Sequence, residues 1–441
     1  MNLNRRSVLR GIGAASATLA FTGPASASDG RARYVVGATD DAAARIEAAG
    51  FEVLNALAGG NVLLVAGSAD AAADLGAISG VSTAVPDLDV ELVTPEVEAS
   101  PAEADGTDVD EVYDELLWDK QVQEVREAHE HATGAGRTIA VLDTGVDDSH
   151  PDLNVDVDAS ATMIDGRPAE HTGDSGYHGT HVAGTAAATG EVGMLGTAPG
   201  ATVVSVRILG PDTGTWGDVL AGIEYAADVG ADAANMSIGT SPIPPEFNAY
   251  QYRRLMESVA QTATAAGTLL VGSAGNSDAN LQQGGLFTLP NSLAGVVSIG
   301  ASTPDDERTF YSNYGTNEID VAAPGGGYET VEKTIVAGPD AVERPWPLNA
   351  VFSTVPDEGL LSGPYVDTTI DGHAYGWLMG TSMAAPQVTG LAALVRELEP
   401  GANARQVERA IAAGAEGTDG GSDSDSGFGR TNALATVERL L

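Results

Sequence analysis

Over residues 117–441 the apolar positions gather into short runs separated by longer helical stretches. Residues 138–142, 202–206, 233–237, 269–273 and 296–300 are largely apolar without alternation, as expected of strands buried on both faces. Helical stretches lie near 178–189, 216–229 and 247–266, and a further one runs from 383 to 398. Alternating β and α segments predict an α/β fold with a doubly wound, mostly parallel sheet.

Residues 32–92 carry a smaller pattern. The run 34–36 is strand-like, and the Ala-rich segment 40–49 reads as a helix stopped by Gly50. Segments 51–57 and 61–66 flank Gly59-Gly60, a hairpin signal. Residues 68–75 repeat the helical pattern up to Gly76, and 81–85 supply a last strand. The order βαββαβ predicts a small α+β, ferredoxin-like domain, a fold that by itself says little about function. Residues 94–116, rich in Glu, Asp, Ala and Pro, read as an acidic linker.

Composition sharpens the picture. Hydrophobic residues make up 43% of the 441, enough for a large core, while aromatics are only 5% and glycines number 55. There are 62 acidic residues against 21 basic ones, a net charge of −41, and the acids are spread along the whole chain. Such a polyanion excludes binding to nucleic acid through its phosphates and to anionic membranes. Its self-repulsion opposes compaction in dilute buffer but is screened over roughly 3 Å at molar salt, which predicts adaptation to high salt. The chain has no cysteine, so disulfides, thiolate metal sites and thiol catalysis are excluded.

The N-terminus reads as an address. Asn4-Arg5-Arg6-Ser7-Val8-Leu9-Arg10 precedes an apolar stretch, 11–22, and an A-x-A cleavage site at Ala25-Ser26-Ala27. The paired arginines resemble a twin-arginine export signal. The stretch is shorter than the ~20 residues that span a bilayer, so a secreted protein without a membrane anchor is expected.

Three segments carry the chemistry: Val141-Leu142-Asp143-Thr144-Gly145-Val146-Asp147, His178-Gly179-Thr180-His181-Val182-Ala183-Gly184 and Gly380-Thr381-Ser382-Met383-Ala384-Ala385-Pro386. A serine hydroxyl becomes nucleophilic when a neighbouring base takes its proton. An imidazole titrates near neutrality and suits that role, and a carboxylate on its other nitrogen fixes the tautomer. Asp143 ends a predicted strand, where side chains point into the crevice of an open sheet. Ser382 opens a helical run, where free backbone N–H groups favour developing negative charge, and Pro386 fits the first turn. The pair His178 and His181 could also hold a metal, but no third ligand is evident and H-E-x-x-H is absent.

Taken together, in this order, the three motifs resemble the subtilisin (subtilase) family over most of 117–441, including the haloarchaeal halolysins. The resemblance implies a secreted serine endopeptidase working through Asp143, His178 and Ser382 and an acyl-enzyme intermediate. His181 and His150 then become structural, and Gln387, where the family often has His, packs without reacting. Ser273-Ala274-Gly275-Asn276 is similar to the family's oxyanion segment, with Asn276 and the Ser382 N–H as donors. Asn235-Met236-Ser237-Ile238-Gly239 resembles the strand that pairs with substrate. Ser237, Ile238 and Gly239 would form one wall of the pocket, Ser273, Ala274 and Gly275 the other, and Thr288 its floor. None of these is charged, so broad, neutral or apolar specificity is expected.

By the same resemblance, residues 1–28 are the signal, 29–93 a propeptide serving as folding helper and intramolecular inhibitor, 94–116 the linker and 117–441 the catalytic domain. An accessory domain retained in the mature protein is the alternative for 29–93. Proteins and peptides are the expected substrates of a monomer. No cofactor is expected for catalysis, but structural calcium is. Asp152 matches a family calcium ligand, although the loop 189–193 is shortened and lacks the usual Asn ligands. Residues 324–380 read as a surface insertion near the active-site mouth, and His129, His131, His171 and His373 as surface residues. Some halolysins have an extra C-terminal domain; none is expected here, after a Gly/Ser/Asp-rich loop at 417–427 and a short helix. A non-catalytic binder on the same fold and a protease dedicated to one exported precursor are the competing readings.

Overall fold

A computed structural model describes residues 25–39, 41–92, 109–210, 213–244, 249–283, 285–357, 366–418 and 421–441. The export-signal residues 1–24, linker residues 94–108 and the start of the 247–266 helix lie outside these. Ala25-Ser26-Ala27 is described: both alanines are buried, and backbone hydrogen bonds join Ala25 to Arg33 and Asp87.

The N-terminal unit holds strands β1 (Ala32–Ala38), β2 (Glu52–Leu57), β3 (Val62–Gly67) and β4 (Val81–Pro86), with helices Ala42–Ala48 and Ala72–Gly76. The sheet order is β2-β3-β1-β4 and each neighbouring pair is antiparallel, the split-βαβ arrangement. Gly59 and Gly60 close the β2–β3 turn with φ of +64° and +89°, a conformation glycine adopts without strain. Tyr34, Val36, Leu63 and Val65 pack under the unit's own helices. Val35, Leu64 and Ala66, one position out of phase, join a second cluster with Trp216, Leu255 and Val259. The sheet is thus buried on both faces, the second by helices Trp216–Asp228 and Ala249–Ala266 of the large domain.

The unit continues into β5 (Asp89–Glu91). Of the stretch read as linker, the last part is helical instead: Val109–Leu116 buries Val112, Tyr113 and Leu116 in the main core. Its apolar positions recur at three-residue spacing within the acids, which the composition of the whole stretch concealed.

The large domain is built on an eight-stranded sheet of order β14-β13-β12-β11-β6-β9-β7-β8. Its strands are β6 (Thr138–Asp143), β7 (Ala161–Ile164), β8 (Arg167–Ala169), β9 (Thr202–Arg207), β11 (Ala233–Met236), β12 (Leu269–Ser273), β13 (Val296–Ser302) and β14 (Val321–Pro324). All neighbours are parallel except β7 and β8. Side chains alternate between the two layers: Ile139 and Val141 face helices His178–Ala187 and Thr381–Leu398, while Ala140 and Leu142 face the layer shared with the N-terminal unit. The short β10 (Thr213–Thr215) pairs antiparallel with β5, and Val90 is buried between them and the domain.

The described residues of 324–380 are not a surface insertion. β15 (Val351–Thr354), β16 (Val366–Ile370) and β17 (His373–Leu378) form an antiparallel sheet of order β15-β17-β16. Its Phe352, Tyr375 and Trp377 are fully buried in the main core, and Ser353 and Thr354 donate to carbonyls of the His178 helix.

Candidate active site

Asp143 ends β6 at the carboxyl edge of the sheet. Its buried carboxylate accepts the Thr144 N–H at 2.8 Å and faces His178 Nδ1 at 2.8 Å and 3.0 Å. A carboxylate only accepts, so Nδ1 carries the hydrogen and Nε2 presents its lone pair. The two motifs approach this closely because both are glycine-bearing. A Cβ on Gly179 would collide with Gly145 O, and one on Gly145, at φ +105°, with Gly173 O. Burial disfavours the charged imidazole, but the carboxylates of Asp143 and Asp174 outweigh it and lift His178 above the usual histidine value.

Ser382 is the second residue of its helix and 7% exposed. Its Oγ donates to Ser237 O at 3.2 Å, and its own carbonyl accepts from Ser237 Oγ at 2.7 Å. Asn235 Nδ2 donates to that Ser237 hydroxyl, and Thr389 in turn to Asn235, which locks the β11 terminus to the Ser382 helix. In this conformation no hydrogen bond joins Ser382 Oγ to His178 Nε2, which is buried without a protein partner.

The Asn276 amide is oriented by its carbonyl end, which accepts both the N–H and the hydroxyl of Thr381 at 2.9 Å. The loop carrying it is braced by Asn313, a residue the sequence did not single out. Asn313 donates to Ala274 O at 2.8 Å and accepts from the N–H groups of Ser277 and Ala279. Gly275, at φ +100°, lets Asn313 in: a Cβ there would lie 2.6 Å from its amide nitrogen. Ser237 and Ile238, with Gly239, extend β11, while Ser273, Ala274 and Gly275 extend from β12. Ser273 Oγ donates to Ile238 O at 3.4 Å, so the two segments lie side by side. Thr240 N–H donates to Leu289 O beside them, and Thr288 is buried with its hydroxyl unpartnered.

Other histidines are structural. His181 Nε2 lies 3.1 Å from Val351 O and 3.2 Å from Gly376 O, so it donates, and burial pushes its pKa down to about 3. His150 is buried against Ala374 O. Two of the expected surface histidines are only partly exposed. His129 is half-buried on Thr197 O, and the His171 side chain is 5% exposed beside Asp148. Gln387 donates to Pro324 O and accepts from Gln123 in the core.

Asp152 does not fit a calcium ion. Its oxygens accept the N–H groups of Val192, Gly193 and Met194 and the Tyr375 hydroxyl, so the shortened loop closes directly on the carboxylate. Among the described residues no three His, Cys, Asp or Glu side chains cluster to hold a metal. The sequence reading also missed Asp174, which accepts from Thr180 N–H at 3.0 Å, Thr180 Oγ1 at 2.6 Å and Gly176 N–H at 2.8 Å.

Residues 134–429 match the model of the Subtilase family. The chain belongs to the subtilase family. It is 33% identical over 307 residues to Subtilisin Savinase of Lederbergia lenta, covering 69% of this chain and 92% of that one. It is 31% identical over 357 residues to M-protease of Shouchella clausii, with 77% and 78% covered. Among solved structures, fervidolysin of Fervidobacterium pennivorans superposes with a TM-score of 0.70 over 92% of this chain and 61% of that one, at 24% identity. The epidermin leader peptide processing protease of Staphylococcus aureus gives 0.71 over 92% and 99%, at 19%. This subtilase is therefore a subtilisin-type serine peptidase acting on protein or peptide substrates. No helix among its described residues is long and apolar enough to cross a membrane.

Proposed function

We propose that this subtilase is a secreted, salt-adapted endopeptidase of broad specificity in which Asp143, His178 and Ser382 form the catalytic triad. The observation that carries the reading is the buried Asp143–His178 pair, which leaves Nε2 as the basic nitrogen on a helix packed against the one that Ser382 opens. Ser382 Oγ turns from Ser237 O towards Nε2, gives up its proton and attacks the scissile carbonyl carbon. The oxyanion is received by the Asn276 side-chain amide and the Ser382 N–H, the latter in a first turn whose N–H groups lack intrahelical acceptors. His178 then protonates the leaving amine as the C–N bond breaks, and water hydrolyses the acyl-enzyme by the same route. The uncharged walls at Ser237–Gly239 and Ser273–Gly275 favour neutral or apolar side chains.

Residues 29–93 act as a propeptide in this reading. β5, at the end of this unit, pairs antiparallel with β10 of the large domain, a β-augmentation contact of the kind by which an inhibitor segment is held. The twin-arginine signal exports the precursor, and the propeptide is removed outside.

Ser382→Ala tests this directly. At molar salt the variant accumulates uncleaved precursor and hydrolyses no peptide, whereas wild type digests casein at many bonds. Residual hydrolysis by the variant would end the triad reading, and a wild type that leaves casein intact would move the enzyme to the dedicated processing proteases.

A further inference from the structure

We propose that Asp174 is a positioning residue of this catalytic centre, tying the Asp143 loop to the first turn of the His178 helix and stabilising positive charge on His178. The inference rests on the triad reading above. Tyr177, at the N-cap position, contributes no side-chain cap to the His178 helix. Asp174 does that work from the preceding loop: one oxygen takes the Thr180 N–H and hydroxyl, the other the Gly176 N–H. Thr144, the residue after Asp143, accepts the Gly179 N–H on its Oγ1 at 2.9 Å, and its carbonyl accepts the N–H and the hydroxyl of Ser175, the residue after Asp174. The Asp174 segment therefore joins the residue after the triad aspartate to the first turn of the His178 helix. The Thr180 hydroxyl carries the link on to the Asp147 N–H at 3.0 Å.

The charge matters as much as the tether. His178 is the first residue of a ten-residue helix, where the positive end of the helix dipole opposes an imidazolium. The charged or titratable groups facing His178 are Asp143 from β6, Asp174 from the preceding loop and His181 one turn on, which burial keeps neutral. Asp143 holds the ring nitrogen. Asp174 offsets the helix end without touching the ring, so the imidazolium formed when Ser382 loses its proton is favoured by both.

Two substitutions separate charge from tether. Asp174→Asn keeps an acceptor and removes the charge. Its acid limb of kcat against pH is expected to move down by about 0.5 to 1 pH unit, with KM unchanged. Asp174→Glu keeps the charge and displaces the tether, so kcat is expected to fall roughly tenfold with the acid limb in place. The titration of the His178 ring, followed by NMR in the Ser382→Ala background, reports the same shift without needing turnover. An Asn variant whose acid limb and His178 titration both coincide with wild type overturns the proposal, as does a Glu variant with wild-type kcat. Should Asp174→Asn fail to fold, the Glu variant alone decides. If wild type hydrolyses nothing, the triad reading has failed, and the His178 titration still tells whether Asp174 acts on the ring.

Discussion

At the residue scale, the oxyanion role proposed for Asn276 turns on how its amide is oriented. Its carbonyl end is pinned by two donors of Thr381, so flipping the amide would break both bonds. Substrate and tetrahedral intermediate differ in the charge on the oxygen, so the amide is worth most in the transition state. Asn276→Ala should lower kcat by about 10²–10³, the loss known for the corresponding donor in subtilisin, with KM nearly unchanged. Steady-state kinetics on a neutral peptide substrate checks it, and an equal rise in KM would mean that the residue only binds substrate. Asp143, His178, Ser382 and Asn276, the residues of the proposed site, stand out in the sequence because the chemistry proposed for them demands one residue type inside a short motif. Asp174, Thr381 and Asn313 were not. They act by hydrogen bonds to backbone groups that the fold brings together, and any of several polar residues could serve such a role. Asp152 misled for the complementary reason: the residue type fits a calcium site, but the N–H groups that claim its oxygens come from a loop forty positions later.

At the scale of elements, the apolar runs located the strands of the central sheet, because burial on both faces leaves no polar positions to blur them. β1 and β3 carry short apolar runs of the same kind, but these do not say what covers the second face of the small sheet. The cover is two helices of the large domain, together with the β7–β8 turn. There Asn55 donates to Gly166 O, and Arg167 to Leu54 O. Between them lies a buried ionic cluster. Arg33 meets Asp87 at 3.1 Å, Asp218 at 3.0 Å and Asp165 at 3.5 Å, and Asp87 also accepts the Gly217 N–H at the start of the Trp216–Asp228 helix. One guanidinium faces three carboxylates, so one is held reluctantly. Burial pushes Asp87 up to about 6 against the attraction of Arg33, and Asp218 pushes the same way. A carboxyl raised above its ordinary 3.8 binds a proton in the folded state that the unfolded chain has released. Its contribution is therefore present at low pH and lost as pH rises through about 6. In the Ser382→Ala precursor at fixed salt, Asp87→Asn mimics the protonated form. The Tm difference, variant minus parent, should grow in the variant's favour from about pH 4 to about pH 7. A difference independent of pH would show that Asp87 does not titrate in this range.

For the molecule as a whole, the proposed adaptation to salt rests on its charge. Even with every Arg and Lys paired one to one, the net charge of −41 leaves 41 carboxylates without a basic partner. Both lysines are already committed: Lys120 is buried on Asp119, and Lys333 bridges Asp305 and Glu329. Even paired acids stand largely in water: Asp110 and Asp114, which share Arg126, keep 81% and 71% side-chain exposure. Repulsion among such groups is lower in the unfolded chain, where they lie farther apart, so it subtracts from folding stability. Salt acts on that loss selectively. Exposed charges beyond a screening length of roughly 3 Å at 1 M cease to interact, whereas the buried Arg33 cluster and the Asp143–His178 pair are screened much less. The Tm of the Ser382→Ala precursor should therefore climb steadily between about 0.1 M and about 3 M KCl, most steeply at the low end where the screening length changes most. Sulfate stabilises by exclusion from protein surface as well as by screening, so chloride is the cleaner probe. A Tm that stays flat in KCl would mean that the excess carboxylates are neutralised by another route, and the high-salt reading would fall with it.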